Sequence, residues 1–194
     1  MESVFLFQIS KEGINLDAKN NSMLKIQIKK ITLENLEQLQ KISRQTFIET
    51  FAQFNSKENM EKYLYESLSF EQLKLELENE FSDFYFAYND SEVIGYLKIN
   101  RGEAQTEKKE DNSLEIERIY VLEKFQGRRV GQILFQKAVE IAQSHQMDFI
   151  WLGVWEKNEK AIQFYLKNGF EVFDKHIFKL GVDLQTDLLM RLKL

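Results

Sequence analysis

The clearest chemical signal in this sequence is a short glycine-containing segment, Gln126–Gly131 (QGRRVG), which comes directly before a predicted helix. The first N–H groups of a helix have no partner within it and carry partial positive charge, so they favour the binding of phosphate groups. Arg128 and Arg129 add formal positive charge at the same place. The segment therefore predicts a phosphate-binding turn, and the alternative is that Gly127 and Gly131 serve only the turn and its packing.

Two carboxylates form a second candidate group. Glu115 and Glu117 lie two residues apart on an apolar predicted strand, which places them on the face that carries Ile119 and Val121 unless a β-bulge intervenes. Burial on such a strand would raise the pKa of a carboxyl group toward neutrality, where it could accept a proton. The two carboxylates are therefore candidates for a general base.

The alternative for these carboxylates is structural. An exposed edge position, or a salt bridge to Arg118 or Lys98, would also account for acidic side chains on this strand. The residue types alone leave both interpretations open.

The residues that are absent restrict the chemistry further. The chain of 194 residues has no Cys and no Pro, and its two His are His145 and His176. Thiol nucleophiles, disulfides and Cys-ligated zinc are excluded and multi-His metal sites nearly so, and we expect no metal. A net charge of -5 and a pI near 5.3 argue against a nucleic-acid surface and permit a cationic small substrate.

The first part of the chain is predicted to be mostly helical, with apolar residues at three- and four-residue steps. The predicted N-caps of its three helices are Thr32, Ser56 and Ser69. The strands predicted from alternating or β-rich segments are at 24–28, 84–89 and 93–100. The polar segment 102–113, which includes Lys108 and Lys109, is predicted to be a mobile loop.

The second half is predicted to contain a strand, the glycine turn, a helix and a parallel strand. The predicted strands here are at 114–123, 149–154, 170–173 and 187–192. Asn158 is the predicted N-cap of a second helix, and Gly169 stands where a helix C′ glycine is expected.

We expect a single domain over residues 23–194. Residues 1–22 lack the basic region and cleavage site of a signal peptide, which favours a cytoplasmic protein. The strand-like alternation that begins at Met23 indicates a domain start, so we expect residues 1–22 to be an N-terminal extension that is disordered or foreign to the native chain. An arm packed on the domain is the alternative. No window approaches 18 consecutive apolar residues, so we expect no membrane span and a cytoplasmic protein.

The stretch from Leu114 to Phe170 resembles the acetyl-CoA core of the GNAT family of N-acetyltransferases. The resemblance rests on the Gln126–Gly131 turn after a strand, on Asn158 and Tyr165 in the string NEKAIQFY, and on the pair Gly169-Phe170. More narrowly, IERIYVLEKFQG, WLGVWEKNEKAIQFY and QTDLLM are similar to the PaiA-type subfamily of bacterial spermidine/spermine acetyltransferases. With its flanking elements the resemblance covers essentially residues 23–194.

This resemblance implies an α/β (α+β) fold. Its central sheet would be mixed and mostly antiparallel, with flanking helices and a splayed parallel strand pair that holds acetyl-CoA as cosubstrate. The implied cofactor-binding residues are Ile119, Tyr120, Val121, Gln126, Gly127, Arg128, Arg129, Val130, Gly131, Asn158, Lys160 and Tyr165. The backbone of the first three would pair with the pantetheine arm, and the turn would hold the pyrophosphate.

One residue departs from the family motif. Arg129 stands where the motif has its middle glycine. If the position requires a positive φ, the arginine carries a strain on the order of 1 kcal/mol. If the glycine serves only close approach of the backbone, the guanidinium could contact phosphate.

The resemblance also implies the catalytic groups. Glu117 matches the family position that often orients the water acting as base, and the Val121 N–H is the candidate for the oxyanion. Tyr165 matches the tyrosine that protonates or hydrogen-bonds the departing sulfur, and its alternative is a core aromatic role. The absence of Cys agrees with direct transfer, without an acyl-enzyme.

The acceptor is predicted to be a small amine, and a polyamine in particular. Candidates to bind it are Glu49, Tyr63, Glu103, Trp151, Trp155 and Asp187, of which we expect Trp151 to pack in the sheet. His145 is expected to be solvated, and His176 to be structural or near the acceptor. Peptide or protein N-acetylation and a non-catalytic acetyl-CoA-sensing module are the alternatives, and a homodimer stays open.

Overall fold

The computed structural model describes residues 25–107, 112–180 and 183–194, and the elements named here are those of the described residues. The strands are β1 (Ile26–Lys30), β2 (Ser82–Asn89), β3 (Glu92–Arg101), β4 (Ser113–Val121), β5 (Phe149–Trp155), β6 (Glu171–Leu180) and β7 (Asp183–Lys193). The helices are α1 (Leu36–Phe51), α2 (Lys57–Glu66), α3 (Phe70–Glu78), α4 (Val130–Ser144) and α5 (Glu159–Lys167). The predicted extension at 1–22 lies outside the described residues.

Side-chain caps fix the starts of three helices where the sequence predicts them. Ser56, Ser69 and Asn158 each accept a hydrogen bond from the N–H three residues later, at 3.2, 3.1 and 3.2 Å. Each satisfies a donor that the first turn of the helix would otherwise leave free. After Thr32 the chain first forms a 3-10 turn, so α1 begins only at Leu36.

The strands form a seven-stranded sheet in the order β1-β2-β3-β4-β5-β7-β6. All neighbouring pairs are antiparallel except β4 and β5. That parallel pairing begins at Ser113 and Phe149 and ends at Glu115 and Trp151, after which the two strands diverge. Since β5 stays paired with β7 along its length, the divergence leaves one edge of β4 open. The predicted architecture is confirmed.

A β-bulge interrupts β4 next to the open edge. Lys98 of β3 pairs with Arg118, and Ile99 pairs with Ile116, so Glu117 is an extra residue with no partner on β3. Such a residue shifts the alternation of side chains along its strand.

The bulge decides which side chains share a face of β4. The ring of Tyr120 contacts that of Phe51 on α1, with centroids 6.5 Å apart. Val121 instead lies beside Gly131 of α4, on the opposite face. Glu117 therefore shares its face with Tyr120 and not with Val121, which is the exception that the sequence prediction allowed for a β-bulge.

Two further segments differ from their predicted form. The last strands are much longer than 170–173 and 187–192, because β6 is an edge strand whose mixed polar sequence gives little hydrophobic signal. Residues 102–107 of the predicted mobile loop are folded against the sheet, beginning with the 3-10 turn Gly102–Ala104. The rest of that prediction, at 108–111, lies outside the described residues.

Helices cover both faces of the sheet and complete the core. The predicted apolar face of α4 is buried, through Val130, Leu134, Phe135, Ala138, Ile141 and Ala142. Among the helices that the structure describes, none combines the length and the apolar character needed to cross a membrane.

Candidate active site

A cavity of about 430 Å³ opens where β4 and β5 diverge. Its walls bring together five of the catalytic and cofactor-binding residues predicted from sequence, namely Glu117, Ile119, Tyr120, Asn158 and Tyr165. The Gln126–Gly131 turn does not line this cavity. It lies just beyond the end of β4, beside Val121.

Beyond Glu115, the backbone of β4 has no strand partner on the side of the cavity among the described residues. The Leu122 N–H donates to the Ile94 carbonyl of β3 at 3.0 Å. Because successive residues of a strand direct their N–H groups to opposite sides, those of Ile119 and Val121 point away from β3. On this side the Val121 carbonyl already accepts a hydrogen bond of 3.2 Å from the Gln126 side chain. The N–H groups of Ile119 and Val121 remain as the donors that a ligand could use. An extended chain bearing amides could pair with this edge as an added strand.

The Gln126–Gly131 turn presents donors and positive charge to solvent. Gly127 has a φ of 75°, and a Cβ there would meet nothing within 4 Å, so the backbone conformation rather than space favours glycine. The Ile133 N–H donates to the Arg129 carbonyl at 3.1 Å, and the N–H groups before it have no acceptor within α4. The turn therefore fits a phosphate group.

Arg129 adopts the strained conformation that the sequence left open. Its φ is 65°, in the left-handed region, where a non-glycine residue costs about 1 to 2 kcal/mol. Its side chain is exposed and forms no salt bridge with any described residue. Arg128 lies over the ring of Phe125, 5.8 Å from its centroid. Both guanidinium groups thus stand at the turn, and that of Arg129 is uncompensated.

Tyr165 brings a hydroxyl to the wall of the cavity. Its ring packs against that of Phe170 at 5.4 Å, while its hydroxyl makes no hydrogen bond with any residue that the structure describes. Burial raises the pKa of Tyr165, so the phenol stays protonated and can donate a hydrogen bond. Asn158 both caps α5 and lines the cavity, so its two predicted roles are compatible.

Four charged side chains, which we call the ion quartet, lie together at the cavity: Glu76, Lys98, Glu117 and Arg118, of which Lys98 and Arg118 are buried and the two carboxylates are mostly so. Arg118 donates to both carboxylate oxygens of Glu76, at 2.8 and 2.9 Å, and lies 3.0 Å from Glu117. The Lys98 ammonium lies 3.0 Å from Glu76 and 2.5 Å from Glu117. Two cations face two anions, so the buried charges compensate one another.

The quartet reverses the expected behaviour of Glu117. Burial by itself would raise the pKa of this carboxyl group, but the Arg118 guanidinium and the Lys98 ammonium, helped by a 2.6 Å hydrogen bond from Asn100, hold it below its usual value. The expectation of a raised pKa is wrong, and the salt bridges that sequence offered as the alternative are present. Glu117 is therefore ionised and still lines the cavity.

Glu115 ties the 102–107 segment to β4. Its carboxylate accepts bonds from the Thr106 N–H at 2.8 Å, from the Thr106 hydroxyl and from Asn100 at 3.0 Å. Burial raises the pKa of Glu115, although these three bonds oppose the shift. Next to it, Gln105 accepts a bond of 2.6 Å from the indole of Trp151, which is packed in the sheet as predicted. The segment thereby forms one wall of the cavity.

Aromatic rings and a carboxylate form the other end, which we call the aromatic end. Trp155 packs against Phe51 and Phe54, with centroids 6.1 and 5.1 Å away, and Tyr63 lines the same end. Asp187 of β7 stands opposite Trp155 in the strand register and also lines the cavity. His176 closes this end through its Nδ1, 2.5 Å from Glu107, whereas His145 is exposed at the end of α4.

Some candidates lie elsewhere, and the sequence did not identify one member of the ion quartet. Glu49, Glu103 and Lys160 do not line the cavity; Glu49 instead accepts a bond of 2.8 Å from the Glu123 N–H. The missed residue is Glu76. It occupies the apolar stripe of α3, three residues after the buried Leu73, and a carboxylate at such a position signals a buried partner.

Comparison with known families gives a match that spans most of the chain. Residues 37–170 match the sequence model of the Acetyltransferase (GNAT) family. An uncharacterised N-acetyltransferase in the pepI 3' region of Lactobacillus delbrueckii subsp. lactis is 41% identical over 169 residues, which are 87% of this chain and 98% of that protein.

Two further similarities come from Thermoplasma acidophilum. A spermidine N(1)-acetyltransferase is 29% identical over 155 residues, covering 78% of this chain and 91% of that protein. The crystal structure of a PaiA N-acetyltransferase in complex with coenzyme A superposes with a TM-score of 0.74 at 27% identity, covering 88% of this chain and all of that one.

Proposed function

Because the chain belongs to the acetyltransferase (GNAT) family, we propose that it transfers an acetyl group from acetyl-CoA directly to a primary amine of a polyamine such as spermidine or spermine. N-acetyl transfer from acetyl-CoA is the activity of the family, and a similar structure holds coenzyme A. The acceptor, the direct route, the individual residue roles and a domain spanning residues 23–194 are our proposal.

The single observation that carries the choice of acceptor is the character of the aromatic end. Its open wall combines the rings of Phe51, Tyr63 and Trp155 with the carboxylate of Asp187. A polyamine carries several ammonium groups joined by short methylene chains, since alkylamines of pKa near 10 are protonated at neutral pH. Aromatic faces and a carboxylate are the groups that attract such a ligand. The similarity to a spermidine acetyltransferase supports the same acceptor class.

In this proposal the other end of the cavity holds acetyl-CoA. The free N–H groups of Ile119 and Val121 would pair with the amides of its pantetheine arm, and the Gln126–Gly131 turn with Arg128 and Arg129 would hold its pyrophosphate. Acetyl-CoA supplies an acetyl group activated as a thioester. The Val121 N–H is the donor we assign to the carbonyl oxygen of that group.

The acceptor amine must lose a proton before it can attack. Glu117 is ionised, but its lowered pKa makes it a weak base, so we assign it to orient the water that receives this proton. The neutral amine nitrogen then forms a C–N bond with the carbonyl carbon of the acetyl group, and the C–S bond breaks with its electron pair going to sulfur. The nitrogen releases its second proton to solvent and becomes the amide nitrogen. Tyr165 donates a hydrogen bond to that sulfur, which finally takes up a proton from solvent.

Acetyl-CoA turnover across acceptors tests the proposal. Because the chain contains no Cys, a thiol reagent reports only the coenzyme A that is released. We expect kcat/KM for spermidine to exceed that for a tripeptide with a free N-terminus by about a hundredfold, which corresponds to roughly 3 kcal/mol of charge-assisted binding.

Two results would overturn it. Equal or faster turnover with the peptide would favour peptide N-acetylation. Tight acetyl-CoA binding by calorimetry, with no thiol release for any amine, would favour a sensing module.

A further inference from the structure

The ionised groups around the cavity differ in whether they have a partner. Glu117 and Arg118 belong to the ion quartet, and Glu107 is paired with His176. Asp187 is the exception: among the described residues, no side chain forms a hydrogen bond or an ion pair with its carboxylate. A carboxylate that lines a cavity without a counter-ion is a place where a cationic ligand would be stabilised.

A glycine opens the way to this carboxylate. Gly153 lies on β5 between Trp151 and Trp155, and residues two apart on a strand point to the same face. A Cβ at Gly153 would lie 3.8 Å from Oδ2 of Asp187 and 3.6 Å from Leu189. A side chain there would therefore cover the carboxylate.

Glycine inside a central strand has a cost that packing does not explain here. It lowers strand stability by roughly 0.5 to 1 kcal/mol relative to alanine, and it commonly marks a close approach of a ligand or backbone. The contacts that an added Cβ would make at Gly153 are at ordinary van der Waals distances, so the neighbouring atoms do not exclude alanine. We therefore attribute the glycine to the space that it leaves for a ligand beside Asp187.

The surroundings of Asp187 fit an alkylammonium group. Trp155, directly opposite in the register, offers an aromatic face next to the carboxylate. Burial raises the pKa of Asp187, while His176 opposes the shift and Glu156 reinforces it. A bound ammonium group would offset the cost of burying the charged Asp187 carboxylate.

We propose that Asp187, reached through the gap at Gly153, binds a second ammonium group of the acceptor and so selects amines that carry a cation beyond the one that is acetylated. The inference rests on the proposed function, since it names the subsite that would give this site its preference for di- and polyamines. It makes Asp187 and Gly153 specificity-determining residues.

A pair of amines of equal chain length isolates the subsite. The ratio of kcat/KM for 1,4-diaminobutane to that for n-butylamine measures the contribution of the second ammonium. In Asp187→Asn we expect this ratio to fall about tenfold to a hundredfold, the range of one charge-assisted contact. Gly153→Ala keeps the charge but covers it, and should lower the ratio in the same direction.

Glu156→Gln is the matched control. Glu156 is an exposed acid close enough to influence Asp187 electrostatically, but it does not line the cavity. Its removal should change the ratio less than twofold. A fall as large as that of Asp187→Asn would point to the general field of the protein and overturn the subsite, as would an unchanged ratio in Asp187→Asn.

A binding measurement separates this inference from the proposed function. Calorimetric titration of 1,4-diaminobutane into the complex with coenzyme A needs no turnover. If the native chain acetylates no polyamine, spermidine included, the proposed function fails. In that case, and also if it acetylates only longer polyamines than this pair, the titration alone decides the subsite. Weaker binding to Asp187→Asn and Gly153→Ala supports the subsite, whereas equal binding, or none to the native chain, refutes it.

Discussion

The Glu117 carboxylate lies 2.5 Å from the Lys98 ammonium, at the point where β4 has one residue more than β3. The bulge places this carboxylate between the two cations of the ion quartet while leaving it on the cavity wall. The β-bulge therefore gives Glu117 two positions at once, in the salt bridges that stabilise the sheet and on the wall of the cavity.

Glu117→Gln should destabilise the protein. It would leave two buried cations facing the single carboxylate of Glu76, and breaking such a pair costs about 3 kcal/mol or more. Urea unfolding at pH 7 measures the loss. In the double variant Lys98→Met with Glu117→Gln we expect less destabilisation than the sum of the single variants; strict additivity would mean that the two groups do not interact.

The same pair predicts an acid transition. The pKa of Glu117 is lower in the folded chain, so its stabilising effect is present at neutral pH and is lost as pH falls from its usual 4.5 through the folded value. The difference in unfolding free energy between the native chain and Glu117→Gln should shrink over this range. A difference that is the same at pH 7 and pH 3 would contradict the assignment.

Glu115 should show the opposite dependence. Its pKa is raised by burial, so its contribution is greatest below pH 4.5 and is lost as pH rises through the folded value. In urea unfolding, the free energy of unfolding of Glu115→Gln should therefore rise relative to that of the native chain between pH 4.5 and pH 8. If the free energy of unfolding of Glu115→Gln instead falls relative to the native chain as pH rises, the hydrogen bonds from Thr106 affect the pKa of Glu115 more than burial does.

Tyr165→Phe should lower kcat about a hundredfold, the usual lower range for a group that assists a leaving atom. Stability should change little, because the hydroxyl has no hydrogen-bond partner among the described residues. Thiol release and urea unfolding test the two parts. Tyr85→Phe, at a buried tyrosine that does not line the cavity, is the control, and an undiminished kcat in Tyr165→Phe would leave this residue a core aromatic only.

Arg129→Gly should separate backbone strain from charge. Glycine relieves the positive φ and should raise the unfolding free energy by up to about 1 kcal/mol, after allowing for the greater entropy of the unfolded chain. The lost guanidinium should raise the KM for acetyl-CoA severalfold. Arg129→Ala keeps the strain and loses the charge, so it should raise KM without the gain in stability; a KM unchanged in both would mean that phosphate is held by the backbone alone.

Local signals in the sequence determined much of this protein. Ser56, Ser69 and Asn158 start their helices because a side-chain cap needs only a donor three residues away. The position of the Gln126–Gly131 turn before a helix was also predictable from the sequence, although the positive φ of Arg129 was not. The strand order around the splayed pair followed from the family resemblance, which carries the fold.

Only the tertiary structure decided which charged groups of the site lie next to one another. The bulge at Glu117 depends on the pairing of β3 with β4. The lowered pKa of Glu117 depends on Arg118 of its own strand and on Lys98 and Asn100 of the neighbouring strand β3. The opening at Gly153 likewise has meaning only beside Asp187 on the neighbouring strand. A sequence read locally names the carboxylates, but the electrostatic energy of each depends on which distant charges the fold brings within a few ångströms of it.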